Sequence, residues 1–229
     1  NKLPLSKQFS FKIEALLNNL LSDSEGVLHP LAEKRENICK VTVCLITSDS
    51  GLCGNYNHNI IRMVEEFINK RREEKITLIS VGKKGSAYFK RRGINIAQAY
   101  TGLNGRYSDE VTNEILKNLT DIFLSKGSDE VYVGYTYFES ASRRRPMIEK
   151  LLNISSPKKE KIDYILEPDM NRILEELIPV YMFNKMKLFI LNAFTAEHSA
   201  RAIAMGEATK NADKLLEELT LLRNKMRQA

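Results

Sequence analysis

The sequence has few of the residues that build disulfide frameworks, zinc sites and membrane spans. It contains three cysteines in 229 residues, Cys39, Cys44 and Cys53, and no CxxC spacing. Such an odd, sparse set argues against a disulfide framework or a zinc site and favours a reducing compartment. The longest uncharged apolar run, 188–196, stops at Glu197 and falls short of the roughly eighteen residues that cross a bilayer. We therefore expect that the chain does not span a membrane.

Charge and apolar content limit the classes of partner. The chain carries 35 lysines and arginines against 29 aspartates and glutamates, a net charge of +6 with a pI near 9.1. Its 43% of apolar residues exclude disorder of the whole chain. A basic balance suits an acidic partner such as nucleic acid, an anionic membrane face or an acidic protein surface. The charge alone does not choose among these three.

The middle of the chain alternates short β-rich runs with amphipathic segments. Residues 41–47 are β-branched and apolar on both faces, which predicts a buried strand. This alternation predicts an α/β fold, a three-layer domain around a largely parallel sheet. Further strands are predicted at 76–81, 94–97 and 131–138, with helices at 57–72, directly after 82–85 and at 109–124.

The C-terminal segment has the periodicity of one long helix. Residues 180–229 contain no proline and one glycine, and at about 1.5 Å per residue they predict a helix about 75 Å long. Because such a helix must protrude from a small domain, its apolar side needs a partner. Residues on one side of this helix step by three and four: Phe183, Met186, Ile190, Ala193, Glu197, Ala200 and Ala204. Leu215, Leu219, Leu222 and Met226 continue the same spacing.

The N-terminal segment offers a matching stripe. Phe9, Ile13, Leu16 and Leu20 step by 4, 3 and 4 residues, which is the spacing of a two-helix seam. We therefore expect the two chain ends to pair as an antiparallel coiled coil. The predicted division is an N-terminal coiled-coil helix at 1–25, an α/β globular part at 26–168 and a C-terminal coiled-coil helix at 169–229.

The turn at 47–57 follows the first strand, at the end of the sheet where open α/β folds bind ligands. It runs from Thr47 to Asn57, and its glycines, Gly51 and Gly54, could let backbone amides face a phosphate. Their spacing is neither GxGxxG nor a P-loop, and no Lys-Ser/Thr pair follows. A tight turn built from small residues is the preferred interpretation, and an α/β enzyme that binds a phosphorylated ligand is the alternative.

Cys53 is a candidate nucleophile, because a cysteine at a helix N-terminus has a lowered pKa. The sequence places no His–acid pair beside it, since His29, His58 and His198 stand apart in different zones. A packed turn cysteine is therefore the preferred interpretation. The carboxylates are scattered and do not cluster with histidine, so no metal site is predicted.

Two charged features remain. Arg143, Arg144 and Arg145 form a basic run that is predicted to lie in a loop. This run could bind phosphate or an acidic protein surface, or it could be a solvated loop without a partner. Nucleic-acid binding is weakly supported, because interleaved aromatic residues and a recognition helix are missing. Glu197 and Arg201 stand four residues apart, either as a helix-supporting pair or as a contact with another subunit.

Several motifs resemble the gamma subunit of F-type ATP synthases. Thr47-Ser48-Asp49 with Gly51-Leu52-Cys53-Gly54 and Asn57 is similar to its TSDRGLCGxxN signature, with Ser50 in place of the family's arginine or lysine. The resemblance covers nearly the whole chain, with the motifs in the family's order. The other matching segments are 29–31 before 34–36, 82–85, 197–205, 208–212 and 224–229.

This resemblance implies a Rossmann-like domain with N- and C-terminal helices in an antiparallel coiled coil. It implies a central-stalk rotor that couples ion-driven rotation of the c-ring to conformational changes at the catalytic sites of the β subunits. The subunit itself would be non-catalytic and without cofactors. Its implied partners are the α and β subunits of the F1 hexamer, the epsilon subunit and the c-ring of Fo. It would be a peripheral membrane protein on the cytoplasmic face of a bacterial plasma membrane, or on the matrix face of the mitochondrial inner membrane.

The resemblance also implies roles for individual residues. Arg227 and Gln228 match positions that bond an acidic loop of the β subunit, and Glu197 and Arg201 match positions implicated in coupling on the hexamer side. On the c-ring side, Tyr164 and Glu167 match the foot of the subunit.

Overall fold

The computed structural model describes residues 8, 10, 12–17, 29–33, 35, 37–154 and 170–228. Its centre is a five-stranded sheet with the strand order β3-β2-β1-β4-β5. Strands β1 to β4 are mutually parallel, and β5 pairs with β4 in the antiparallel direction. The strands are β1 (Lys40–Ile46), β2 (Lys75–Val81), β3 (Ile96–Tyr100), β4 (Glu130–Phe138) and β5 (Arg144–Leu152).

Helices cover both faces of the sheet and so make the predicted three layers. Helices α1 (Tyr56–Lys70) and α2 (Lys83–Arg91) lie on one face, and α3 (Asp109–Leu124) and α4 (Met170–Gln228) lie on the other. Strand β1 is buried on both faces, with Val43 toward α1 and Cys44 toward α3 and α4. Its apolar run therefore follows from the two-sided burial of a central parallel strand.

Helix α4 begins on the sheet and leaves it. The ring of Phe189 lies 4.6 Å from that of Tyr135 on β4, and Asn192 accepts a hydrogen bond from the backbone N–H of Phe138 at the strand's end. The helix thus runs in the same direction as β4, toward the carboxyl ends of the parallel strands. Its 59 residues span about 90 Å at about 1.5 Å per residue, so its last part protrudes beyond that edge.

The described N-terminal residues pack against the start of α4. Residues 12–17 are helical, and Ile13 and Leu17 are buried in the same core as α4. Lys185 of α4 forms an ion pair with Glu14 at 3.3 Å. The predicted seam was wrong at Leu16, which is 54% exposed, because the helix turns Leu17 inward instead. Phe9 and Leu20 of the predicted seam lie outside the described residues.

The strands and helices predicted for the middle of the chain are confirmed with small shifts of their bounds, whereas strand β5 was not predicted. The helix at 109–124 has the predicted bounds, and the third strand begins at Ile96 rather than 94. The prediction of a loop at Arg143–Arg145 was wrong, because Arg144 and Arg145 begin β5. Pro146 makes this segment look like a loop in the sequence, but an edge strand tolerates a residue without an N–H donor.

Candidate functional site

The turn after β1 is held by side chains from its own two ends. The amide of Asn57 accepts a hydrogen bond from the backbone N–H of Ser48 at 3.0 Å and donates one to the Ser48 hydroxyl at 2.7 Å. Leu52 and Gly54 adopt positive φ angles of 60° and 54°, which reverse the chain sharply before α1. The turn is therefore a closed, internally bonded unit.

The same turn occupies the N-terminus of α2. The carboxylate of Asp49 accepts hydrogen bonds from the backbone N–H groups of Lys83 and Asn104, at 3.1 and 2.8 Å. The next two amides of α2, those of Lys84 and Gly85, donate to the Ser48 carbonyl and the Thr47 hydroxyl. These are the amides that a phosphate would need at this helix. Because these three amides are bonded within the chain, they are not available to a phosphate at the start of α2.

Glycine is required where α2 meets the turn. Gly82 has a φ of 94°, and a Cβ placed on it would lie 2.2 Å from the Thr47 carbonyl oxygen. A Cβ would not fit without moving backbone, so β1 and the start of α2 can approach this closely only with glycine. Gly82 thus lets the turn pack directly against the start of α2.

Helix α4 is fixed to this turn by a buried contact. The hydroxyl of Tyr56, the first residue of α1, donates a hydrogen bond to the Ala193 carbonyl at 3.0 Å. Burial raises the pKa of Tyr56 well above its ordinary value, so the phenol keeps the proton that it donates. The small side chains of Ala196 and Ala200 pack against Cys53 and Tyr56. The turn and α4 therefore share one small core.

An arginine reaches from α4 to the turn. Arg201 donates to the Ser50 hydroxyl at 2.9 Å and to the Gly51 carbonyl at 3.3 Å. The same guanidinium pairs with Glu197 at 2.7 Å, and the Glu197 side chain is 1% exposed. The predicted pair at i and i+4 is thus present, and it also links the long helix to the turn.

We call the contact of the turn at 47–57 with α4, made by Tyr56 and Arg201, the junction. A cleft of about 490 Å³ lies beside the junction, between the turn, the α1 N-terminus and α4. Arg144 lines it and donates to the Ala141 carbonyl and the Ser199 hydroxyl, at 3.0 and 3.4 Å. Arg143 and Arg145 both pair with Glu139. The basic run is thus engaged largely within its own hairpin.

Two cysteines of the described residues are buried at or near the turn. Cys53 is 2% exposed, and its sulfur lies 3.2 Å from the Asn57 amide nitrogen. Burial raises the pKa of Cys44 to about 12, which keeps that thiol protonated at neutral pH. Within the described residues, no group of three His, Cys, Asp or Glu side chains could hold a metal ion. No described helix is long and apolar enough to cross a membrane.

Beyond Arg201, α4 carries an apolar stripe that the described residues do not cover. Its large side chains are between 50% and 73% exposed. Exposed apolar residues at this density on a helix indicate an interaction surface. The stripe consists of Met205, Leu215, Leu216, Leu219, Leu222 and Met226, and Ile203 and Leu221 are exposed on another side of the helix.

Comparison with known proteins identifies the family. The family model described as ATP synthase matches residues 1–229. The ATP synthase gamma chain of Pelotomaculum thermopropionicum is 37% identical over 228 residues, which cover 98% of this chain and 80% of the relative. That of Moorella thermoacetica is 38% identical over 226 residues, 98% of this chain and 79% of the relative. The chain belongs to the ATP synthase gamma-chain family.

Solved structures show that the fold is shared with this family. A chain of the central stalk and c-ring of the Tetrahymena thermophila mitochondrial ATP synthase matches with a TM-score of 0.62 at 18% identity, covering 91% of this chain and all of that one. A chain of the Euglena gracilis mitochondrial rotor matches with a TM-score of 0.62 at 19% identity, covering 99% and 95%. The Rossmann-like sheet with a long C-terminal helix is therefore a fold shared with chains of these ATP synthase structures.

The residues predicted from the resemblance lie in three places. Glu197 and Arg201 are at the junction, where Glu197 is buried and bonded within the chain. Arg227 and Gln228 are at the exposed end of α4, far along the helix from the sheet. Tyr164 and Glu167 lie outside the described residues.

Sequence reasoning did not predict the contacts of two residues at this site. The contacts of Asp49 and Tyr56 were not predicted, although both stand at or beside the matching signature. Because their partners lie 34 and 137 positions away, only the folded chain brings them together. The available hint was position, since polar residues after a strand and at a helix start commonly bond backbone groups.

Proposed function

We propose that this gamma chain is a non-catalytic rotor shaft that couples rotation of a membrane ring to conformational changes in a surrounding catalytic ring. The observation that carries the proposal is one helix with two environments: it is packed on the sheet up to Ala200 and exposed along an apolar stripe after Arg201. A stripe of this kind needs a surrounding partner, and a helix anchored in a rigid domain transmits the orientation of that domain.

The junction supplies the mechanical link. Tyr56 and Arg201 bond the turn to α4 from two sides, so turning the globular part must turn the base of the exposed helix. A helix with different side chains around its circumference favours a different partner conformation at each angle, and this is coupling between distant sites. The chain thus acts on its partners through the orientation of α4.

The proposed partners follow the two ends of the molecule. On the hexamer side, the α and β subunits would surround α4, and Arg227 and Gln228 would bond an acidic loop of β. Arg201 would face that ring directly, whereas buried Glu197 would act by orienting Arg201. On the other side, Tyr164 and Glu167 would contact the c-ring, next to the epsilon subunit. The proposed division of the chain into 1–25, 26–168 and 169–229 follows these roles.

The proposed location is the membrane surface on which the ring stands. We propose the cytoplasmic face of a bacterial plasma membrane, with the matrix face of the mitochondrial inner membrane as the alternative. The curated relatives named above are bacterial gamma chains, and this supports the first location.

Co-expression with the α and β subunits of an F-type enzyme tests the function. We expect one copy of the chain in each hexamer and an ATPase rate that depends on its presence. Association that leaves the ATPase rate unchanged would make the chain an adaptor and overturn the rotor proposal. ATP hydrolysis by this chain in the absence of α and β would overturn the non-catalytic assignment.

Arg227→Ala tests the proposed contact at the end of α4. Arg227 is exposed, so the substitution should leave folding intact and lower the coupled ATP synthesis rate of the assembled enzyme about tenfold, as loss of one charge-assisted contact does. Arg223→Ala is the matched control, because Arg223 is also exposed and stands one turn earlier. Equal losses in both variants would show that general charge, and not this position, matters.

A further inference from the structure

The cleft beside the junction lies where the order of the strands reverses. From β1 the chain builds the sheet outward through β2 and β3, and it then returns to place β4 on the other side of β1. Cys53 and Tyr56 follow the carboxyl end of β1, Thr136 stands near the carboxyl end of β4, and all three line the cleft. Open α/β sheets bind small ligands in the crevice at such a reversal. The cleft therefore occupies a position that suits a ligand.

The cleft also has the size of a small-molecule site. Its volume of about 490 Å³ lies within the range of about 300 to 1,000 Å³ that is typical of such sites, and it far exceeds the volume of one phosphate ion. Part of its wall is apolar and consists of Pro146, Ala200, Ile203 and Ala204. The cleft thus has room and apolar surface for an organic molecule.

One wall of the cleft carries a cation without an acidic partner. Arg144 lines the cleft and, unlike Arg143 and Arg145, forms no ion pair with any described residue. Its bonds to the Ala141 carbonyl and the Ser199 hydroxyl both use Nη1, so Nε and Nη2 have no acceptor among the described residues. Two guanidinium donors therefore remain for an anion.

The start of α1 is a second attraction for an anion at the same cleft. Asn55, which precedes the helix and lines the cleft, makes no capping hydrogen bond with its side chain, and the first turn contains no acid. Among the described residues, the backbone N–H groups of Asn57 and His58 find no acceptor. A helix start in this state carries a partial positive charge and favours phosphate.

A buried hydroxyl without a partner lies at the same place. Thr136 is 4% exposed, and its hydroxyl oxygen has no hydrogen-bond partner in the described part of the chain. Strand alternation directs Thr136 toward α1, as it does Tyr132, whereas Tyr135 packs in the core with α4. Leaving a buried hydroxyl unpartnered is costly, and a ligand in the cleft, or water held by that ligand, would remove the cost.

We propose that the cleft binds a phosphorylated small molecule of nucleotide size. The phosphate lies between Arg144 and the start of α1, where both groups offer charge-assisted hydrogen bonds, and the rest of the molecule packs on the apolar wall. The carboxylate of Glu207, which also lines the cleft, suits a sugar hydroxyl because it accepts hydrogen bonds. The start of α2 offers no such site, because its amides are bonded within the chain.

Equilibrium dialysis of the isolated chain against ADP, inorganic phosphate and adenosine tests the ligand class. We expect one ADP per chain, weaker binding of inorganic phosphate and no binding of adenosine. Adenosine binding as tight as that of ADP would overturn recognition of the phosphate. Inorganic phosphate binding as tightly as ADP would overturn the nucleotide-sized ligand, and absence of ADP binding would overturn the proposal as a whole.

Arg144→Gln tests the cation and should weaken ADP binding about tenfold, as loss of a charge-assisted contact does. Arg143→Gln is the matched control, because Arg143 belongs to the same basic run, is exposed and is not among the residues that line the cleft. It should bind ADP within about twofold of the parent. Equal losses in both variants would show that general charge, and not the cleft, attracts ADP, and would overturn the proposal.

Asn55→Asp tests the helix start with a nearly isosteric change. A carboxylate there repels phosphate but favours the helix, so ADP binding should fall about tenfold while the melting temperature is not below that of the parent. This separates loss of the site from loss of the fold. Asn113→Asp, an equal charge change on exposed α3, should leave ADP binding unchanged. Parent-like ADP binding by Asn55→Asp would overturn the assigned place of the phosphate.

The proposed function and this inference fail separately, because the cleft is tested on the isolated chain. A chain that binds ADP as expected but never supports the ATPase activity of α and β would refute the rotor and leave the ligand site standing. A chain that supports this activity but binds no ADP by itself would refute the ligand site alone.

Discussion

The two halves of α4 have similar sequence periodicity and opposite environments. In the packed half, up to Ala200, Met186 and Phe189 are almost completely buried against the sheet. In the exposed half, after Arg201, Leu222 and Met226 are 54% and 73% exposed. The same apolar spacing therefore serves folding in one half and assembly in the other. The boundary is the junction at which Arg201 bonds the turn.

This comparison separates stability from function along one helix. Substitutions in the packed half should lower the free energy of unfolding of the isolated chain. Substitutions in the exposed half should leave that energy nearly unchanged and act on the assembled enzyme. Each of the following variants tests one side of that division.

The largest effect is expected for Phe189→Ala in the packed half. Phe189 is 1% exposed and its ring contacts the tilted ring of Tyr135, so truncation leaves a cavity and should cost about 3 to 5 kcal/mol. Urea denaturation of the isolated chain, followed by circular dichroism, measures it. A loss below about 1 kcal/mol would show that the packed half does not stabilise the fold.

Arg201→Met at the boundary should cost about 3 kcal/mol, because it leaves the Glu197 carboxylate buried without its cation. Adding Glu197→Gln removes that charge, so the double variant should be more stable than Arg201→Met alone. Thermal denaturation of the parent, of both single variants and of the double variant gives the comparison. A double variant that is less stable by the full sum of the single losses would mean that the two residues do not interact.

Lys185→Met should cost about 1 kcal/mol at neutral pH, by removing the bonds to Tyr181 and Glu14. Burial alone would lower the pKa of Lys185, but Tyr181 and Glu14 outweigh it and raise the pKa above 10.5. The contribution of Lys185 is therefore complete below pH 10.5 and is lost as the pH rises through the raised value. Denaturation of parent and variant at neutral and strongly alkaline pH should show the difference shrinking.

Lys210→Met is the control for this pH dependence, since Lys210 is exposed on the other half of α4. Its unfolding free energy should stay within about 0.5 kcal/mol of the parent at both pH values. A Lys185 difference that grows at alkaline pH would contradict the assigned ion pair.

The smallest effect on the isolated chain is expected for Leu222→Ala in the exposed half. Because Leu222 is already 54% exposed, its truncation should change the unfolding free energy by less than about 0.5 kcal/mol. The same variant should weaken retention of the chain in the α and β hexamer, measured by gel filtration of dilute complex. Strong destabilisation of the isolated chain would show that the stripe is covered within the chain itself.

The elements of the fold were predictable wherever the apolar residues of a segment follow a single helical or extended periodicity. Helix α3 has the predicted bounds because Ser108 caps it and its apolar side has a regular spacing. Strand β5 was missed because four of its nine residues are charged and Pro146 interrupts the rest, and among the described strands it pairs with β4 alone. An edge strand needs less apolar sequence than a central one.

The candidate site was predictable as a position but not as a set of contacts. The turn at 47–57 stood out through its glycines and its place after β1, and the pairing of Glu197 with Arg201 followed from their spacing. The bonds from Arg201 to Ser50 and from Tyr56 to Ala193 join residues 151 and 137 positions apart. Spacing rules describe neighbours within one element, so they cannot reach across such separations.

The sequence by itself determined the local structure: a long uninterrupted helix, alternating strands and helices, and a turn that requires glycine. Backbone preferences and the periodicity of apolar side chains depend on residues close together in the sequence, so both can be recognised without the fold. Only the tertiary structure decided which half of α4 is buried and which residues bond that helix to the turn. Burial and surface charge depend on which distant segments meet, and that is settled by packing the whole sheet against its helices.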